Sequence, residues 1–220
     1  MSIKLGSTGC DSIYLGSTKI GTAYLGSTKV FSSADPYNPL RLPSHTIRIK
    51  FEPGNTPSSF LGDSQTLVDA NENIWDIYKS SNDWSSLFAG YTTRFYLLSV
   101  LGANTTGVTD MSSMFDNCSV LTSVSLFDTS SVTNMAGMFV SCGALTSVPL
   151  FDTSSATNTS GMFYGCSNVQ SGALALYNQA STQTNPPASH TDMFLNCGSG
   201  TTSGAAELAQ IPVSWGGTGA

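Results

Sequence analysis

The sequence predicts an α/β solenoid with an α+β N-terminal cap, preceded by a small β-repeat anchor. Three observations predict it. Residues 108–118, 132–142 and 156–166 repeat at a spacing of 24, with Met114, Met138 and Met162, Phe115, Phe139 and Phe163, and Cys118, Cys142 and Cys166 in register. Within each unit the apolar period shifts from a helical to a strand-like one. Ahead of these units, residues 1–30 divide into three decapeptides that share Leu-Gly-Ser-Thr at 5–8, 15–18 and 25–28. Self-similarity of this kind marks units that bury their apolar faces only against neighbours.

In each decapeptide a short run of strand formers (Ile3 and Leu5; Ile13, Tyr14 and Leu15; Tyr24 and Leu25) meets a Gly-Ser-Thr punctuation that turns the chain. Thirty residues in such short pieces bury little apolar area, so residues 1–31 read as an anchor that docks on copies of itself, on a partner, or on its own chain. Residues 32–46, with Pro36, Pro39 and Pro43, read as a linker. Residues 47–96 form the expected N-terminal cap. A clean alternation at 46–53 predicts a strand there, and Trp75, Tyr78, Trp84 and Phe88 fall in a segment expected to be helical in part.

Residues 97–200 are the expected solenoid. Met111, Met114, Phe115 and Cys118 occupy i, i+3, i+4 and i+7, one face of a short helix, and Met135, Met138, Phe139 and Cys142 repeat it. Thr109, Thr133 and Thr157 stand where a hydroxyl caps such a helix. Residues 121–128 and 145–152 then alternate as strands through Val124 and Leu126, and through Val148 and Leu150. One strand and one helical turn per 24 residues lies in the leucine-rich-repeat range. A fourth copy, Met193, Phe194 and Cys197, follows Cys166 at a step of 31, with the extra residues placed around 183–189. Residues 201–220 are the C-terminal cap and tail, with a closing strand expected at 211–215.

The pattern of residues 121–142, Leu-x-x-Val-x-Leu-Phe-Asp-Thr-Ser-Ser-Val-Thr-Asn-Met-x-x-Met-Phe-x-x-Cys, resembles the BspA-like leucine-rich repeats of surface proteins, and the likeness covers about residues 97–200. That resemblance implies adhesion and recognition, with no catalytic residues. The decapeptides resemble, less specifically, segments near the starts of structural proteins of phages that infect Bacteroides relatives. Together the two likenesses imply a virion fibre or decoration protein. Bacterial adhesins of the family carry export signals, and no continuous apolar stretch of that kind is seen in residues 1–30. Assembly in a host cytoplasm is therefore the expected origin, and other virion proteins the expected partners, with a homo-oligomer such as a trimer common among fibres.

Charge narrows the choice further. Only 22 residues, 10%, are charged, and the net charge is -6. Residues 1–94 hold all eight basic residues and eight acidic ones, whereas 95–220 hold five Asp, one Glu and no cation. Without cations to meet phosphates, nucleic-acid binding is excluded there, and attraction to anionic lipid with it. No apolar run reaches the roughly 18–20 residues of a spanning helix, which excludes membrane insertion by one.

Chemistry-bearing residues point to no reaction. Cys118, Cys142, Cys166 and Cys197 form a column at one position of successive units, which suits a buried thiol ladder rather than a tetrahedral metal site. His45 and His190 lie in no hydrolase or zinc motif. Asn104, Asp128 and Asp152, like Asp110, Asn134 and Asn158, fit Asx turns, with calcium as the rival reading. No cofactor and no metal are expected.

The recognition face is placed on Ser123, Ser125 and Phe127 and on Ser147, Pro149 and Phe151, one unit later, where rings beside hydroxyls suit a host-surface glycan or protein. Phe127 and Phe151 can equally point into the core. The expected function is a non-enzymatic virion protein held by residues 1–31. A bacterial adhesin or interaction module and a depolymerase are the rivals.

Overall fold

A computed structural model describes residues 42–57, 61–89 and 96–219, and five backbone strands within the first 41 residues. The linker expected at 32–46 falls largely outside the described residues, as does Cys10. The chain divides into two compact units, residues 1–43 and 44–220.

The first unit contains β1 (Ile3–Leu5), β2 (Ile13–Leu15), β3 (Thr18–Ile20), β4 (Thr22–Leu25) and β5 (Thr28–Ser32). The first three form an antiparallel sheet in which Ile3 faces Leu15 and Ile13 faces Ile20. The last two pair antiparallel, with an irregularity between Ala23 and Tyr24. All seven proposed anchor residues, Ile3, Leu5, Ile13, Tyr14, Leu15, Tyr24 and Leu25, lie in β1, β2 and β4.

The second unit is organised on β6 (Thr46–Phe51), β7 (Ser64–Asp69), β8 (Ile74–Tyr78), β9 (Leu97–Asn104) and the two-residue β10 (Ser123–Val124), in the order β10-β9-β6-β8-β7. Only the β9–β10 pairing is parallel. Central β6 is the alternating 46–51 run, and its Ile47, Ile49 and Phe51 are fully buried. Arg48 on the same strand is also buried, where its Nε and Nη2 donate to Asp76 at 2.6 and 2.8 Å. Two short helices follow, α1 (Ala173–Ser181) and α2 (Thr202–Leu208). Glu207 of α2 accepts from the backbone N–H groups of Gly172 and Leu174 at the start of α1, satisfying donors that a helix N-terminus leaves free.

This architecture overturns the α/β solenoid. In the second unit the regular structure is one mixed five-stranded sheet, two α-helices and a 3-10 turn, the sheet neither curled nor closed, and the repeats do not each supply a strand and a helix. The leucine-rich-repeat and solenoid descriptions fall with it, and a virion fibre built on that shape loses its architectural support.

The physical cause is visible in the backbone. Ser113 and Asn117, Ser141, and Asp192 and Asn196 have φ between 53° and 61°, and Gly137, Gly161 and Gly165 have φ between 61° and 73°. A left-handed residue at two positions four apart cannot continue a right-handed helix. The chain instead makes successive turns. Met114, Asp116 and Cys118 donate to the carbonyls three residues back, while Met111, Ser113, Phe115 and Asn117 donate forward to Asn134, Ala136, Met138 and Val140 of the next unit. The apolar spacing that mimicked a helix is therefore produced by turns, and Met111, Met114, Phe115 and Cys118 still reach one core.

The expected strands also fail beyond Val124. Ser123 and Val124 pair with Ser99 and Val100, but one unit later only an isolated bridge joins Ser147 to Ser171. Pro149 has no N–H to donate to a ladder. The segment expected to be partly helical is β8 followed by turns at 81–89, and the closing strand expected at 211–215 is a 3-10 turn at Val213–Trp215. The additional residues of the fourth unit lie between Gly172 and Ala188 and include α1, upstream of their expected place.

Candidate functional site

The repeated units lie side by side in register. Parallel bridges join Asp83, Asp110, Asn134, Asn158 and Ser189 in turn, and the rings of Phe88, Phe115, Phe139, Phe163 and Phe194 form a column with centroids 5.0 to 6.2 Å apart. Two rungs of this column escaped the sequence reading. Residues 83–88 are a first, diverged unit, in which Trp84, Ser86 and Phe88 donate to Asp110, Ser112 and Met114. At the other end the Phe194 N–H donates to Trp215, and the His190 ring stacks on Trp215 at 4.0 Å. The bridge-forming Asp83 and the motif Asp-Trp-Ser-Ser-Leu-Phe, set beside Asp-Met-Ser-Ser-Met-Phe at 110–115, is the signal that could have found the first.

The chemistry-bearing columns are engaged in holding the units together. Cys142 and Cys166 donate their thiols to the carbonyls of Phe115 and Phe139 at 3.1 and 3.0 Å. All four described cysteines are buried and free of disulfides. The neighbouring Cys166 thiol and burial push the Cys142 thiol well up, and burial pushes up that of Cys197. Asp128 and Asp152 accept from Ser130 and Ser154 N–H at 2.9 and 2.8 Å, and Asp110, Asn134 and Asn158 accept from the amide two residues on. These are Asx turns. No group of three potential metal ligands occurs among the described residues.

The threonines have a different role from the helix caps expected of them. Thr133 and Thr157 donate to the carbonyls of Thr109 and Thr133, one unit back, at 3.1 Å each. Buried Thr105 and Thr129 donate forward to the backbone carbonyls of Asp128 and Asp152. Hydroxyls thus tie unit to unit on two sides of the column.

Open to solvent in successive units are the stretch after Leu121 and its copy after Leu145. Ser123, Ser125 and Ser147 are exposed and Pro149 is half-buried. Phe127 and Phe151 point into the core, their rings 4.9 Å apart. Their place in solvent is taken by Leu126 and Leu150, 64% and 51% exposed. The strand ends at Val124, so strict alternation stops there and the phase changes before the phenylalanines. The sequence reading assigned the leucines the opposite face from the serines.

Residues 71–203, more than half of the chain, match the model of a family described as Mycoplasma protein of unknown function, DUF285. The chain belongs to this family. The DUF285 match runs from the turn before β8 into α2, and so takes in every turn rung from Asp83 to Asn196. No curated protein and no solved structure matches the chain. No helix among the described residues is long and apolar enough to cross a membrane. For this DUF285 chain the exposed leucine pair and its hydroxyl border are the candidate site.

Proposed function

We propose that the chain is a non-enzymatic recognition and attachment protein, contacting its target through residues 122–126 and 146–150. One observation supports this reading above the others: Leu126 and Leu150, at the same position of successive units, are exposed, as are Thr122, Ser123, Ser125, Thr146 and Ser147 of the same two segments, on a frame whose buried thiols are committed to structure. Burying each leucine against a target stabilises a complex by about 1.5–3 kcal/mol.

The decapeptide strands are the proposed foot, docking on other proteins of a larger assembly. Their resemblance to phage structural proteins makes a phage particle, put together in the host cytoplasm, the proposed assembly. A host-surface glycan or protein is the proposed target, and self-association belongs to the same proposal. Support for this setting comes from residues 1–30 alone. Membership of a family described as a Mycoplasma protein supports a second reading, a bacterial interaction module.

The test compares the wild type, a variant lacking residues 2–31, and Leu126→Ser/Leu150→Ser. Loss of incorporation into particles by the first variant, and of target binding by the second, is the expected result. Target binding by both variants at wild-type strength overturns the recognition reading. Incorporation of the truncated chain overturns the foot.

A further inference from the structure

We propose that the Leu126–Leu150 face docks a cationic protein segment, one in which Lys or Arg flanks apolar side chains. The leucines are neighbours across two units: the rings next to them, Phe127 and Phe151, are 4.9 Å apart, and Thr129 donates to the Asp152 carbonyl at 2.9 Å. Two residues beyond each leucine stands a carboxylate, Asp128 and Asp152, held in place through Oδ1 by its own loop N–H.

No cation of this part of the chain answers those carboxylates. Residues 95–220 contain six acidic side chains and no Lys or Arg. The ion pairs Arg48–Asp76 and Lys50–Glu72 lie on the sheet strands and the β7–β8 turn, and involve neither Asp128 nor Asp152. A neutral partner covering the leucines would strip water from the carboxylates without compensation, and an acidic one would be repelled. A partner that brings Lys or Arg beside its apolar contacts buries the leucines and meets the charge together. Ser123, Ser125 and Ser147, exposed and within three residues of the leucines along the chain, can meet the segment's backbone.

This inference rests on the recognition reading and names the class of its partner. The probe is a short peptide of alternating Lys and Val, titrated calorimetrically into the full chain, with Lys/Ser and Glu/Val peptides alongside. The Lys/Val peptide binds, and binding weakens as salt rises to about 300 mM. Leu126→Ser/Leu150→Ser lowers affinity about tenfold or more, and Asp128→Asn/Asp152→Asn flattens the salt dependence. Hydrogen exchange slows at residues 122–128 and 146–152.

Equal binding of the Lys/Ser peptide, unchanged affinity in the leucine variant, or protection elsewhere on the chain overturns the proposal. Failure of the peptide to bind, while the leucine variant still loses its target, removes the cationic partner and leaves the recognition reading standing.

Discussion

The Cys142 thiol donates to the carbonyl of Phe115, 3.1 Å away and one unit back. Cys166 makes the same bond to Phe139. A thiol in that position is a tie between units, shielded from solvent and held as S–H by its neighbour and by burial. In the native protein Cys118, Cys142, Cys166 and Cys197 should resist a thiol reagent at mildly alkaline pH and react once denaturant is added, as read by peptide mass. Labelling of Cys142 at a free-thiol rate in the folded state would contradict the assignment.

Phe139 packs between Phe115 and Phe163, with Phe151 a fourth ring 6.0 Å away. Truncation there removes contacts in two directions along the column. Phe139→Ala should cost about 3–5 kcal/mol in denaturant unfolding, whereas exposed Leu126→Ala should stay within about 0.5 kcal/mol of wild type. Similar losses for the two would mean that the core and the open face have been confused.

Gly172 precedes α1 with φ of 99°, and a Cβ there would overlap the carbonyl oxygen of Val148. That overlap is with backbone, so no side chain can swing away. Gly172→Ala should lower stability by about 2 kcal/mol or more. Gly143→Ala, at a glycine where an added Cβ would meet open space, should be close to neutral. Melting temperatures of the two variants decide it.

Hydrogen bonds from the Ser85 hydroxyl and amide, aided by Lys79, hold the Asp83 carboxyl below the usual carboxylate range. A depressed pKa contributes stability that is complete above the unfolded-state value and is lost as pH falls through the folded-state value. Because Asp83 is largely solvated, its share is small. Acidification from neutral pH to about pH 2 should destabilise the wild type more than Asp83→Asn. Parallel acid limbs in the two melting curves would rule the carboxylate out as a contributor.

The sequence made the units legible because core contacts recur at fixed residues. Met114, Phe115 and Cys118 and their copies are buried as their period requires. It made their backbone illegible because an i, i+3, i+4, i+7 pattern fits a chain of turns as well as a helix. The discriminating residues were present: glycines at 137, 161 and 165 stand where Ser113, Asn117 and Ser141 stand in other units, at positions needing positive φ. A helix would penalise glycine at such sites by about 1 kcal/mol each. The diverged rung at Asp83–Phe88 hid because Trp84 and Leu87 replace methionines and its step to the next unit is 27 rather than 24. At the candidate site, the serines were read from alternation that ends at Val124, so the leucines were missed.

Alternate amide groups of each unit find their acceptors only in the unit that follows. Excision of one 24-residue module, joining Gly107 to Val132, would hand the amides of the 83–88 rung to carbonyls equivalent to those they lost. A cut inside a rung would strand donors along its edge, whereas the loops between rungs tolerate other lengths, as the steps of 27 from Asp83 to Asp110 and 31 from Asn158 to Ser189 show. The number of rungs in this protein is thus quantised, and natural variants should gain or lose whole rungs inside the column while its two ends stay the same.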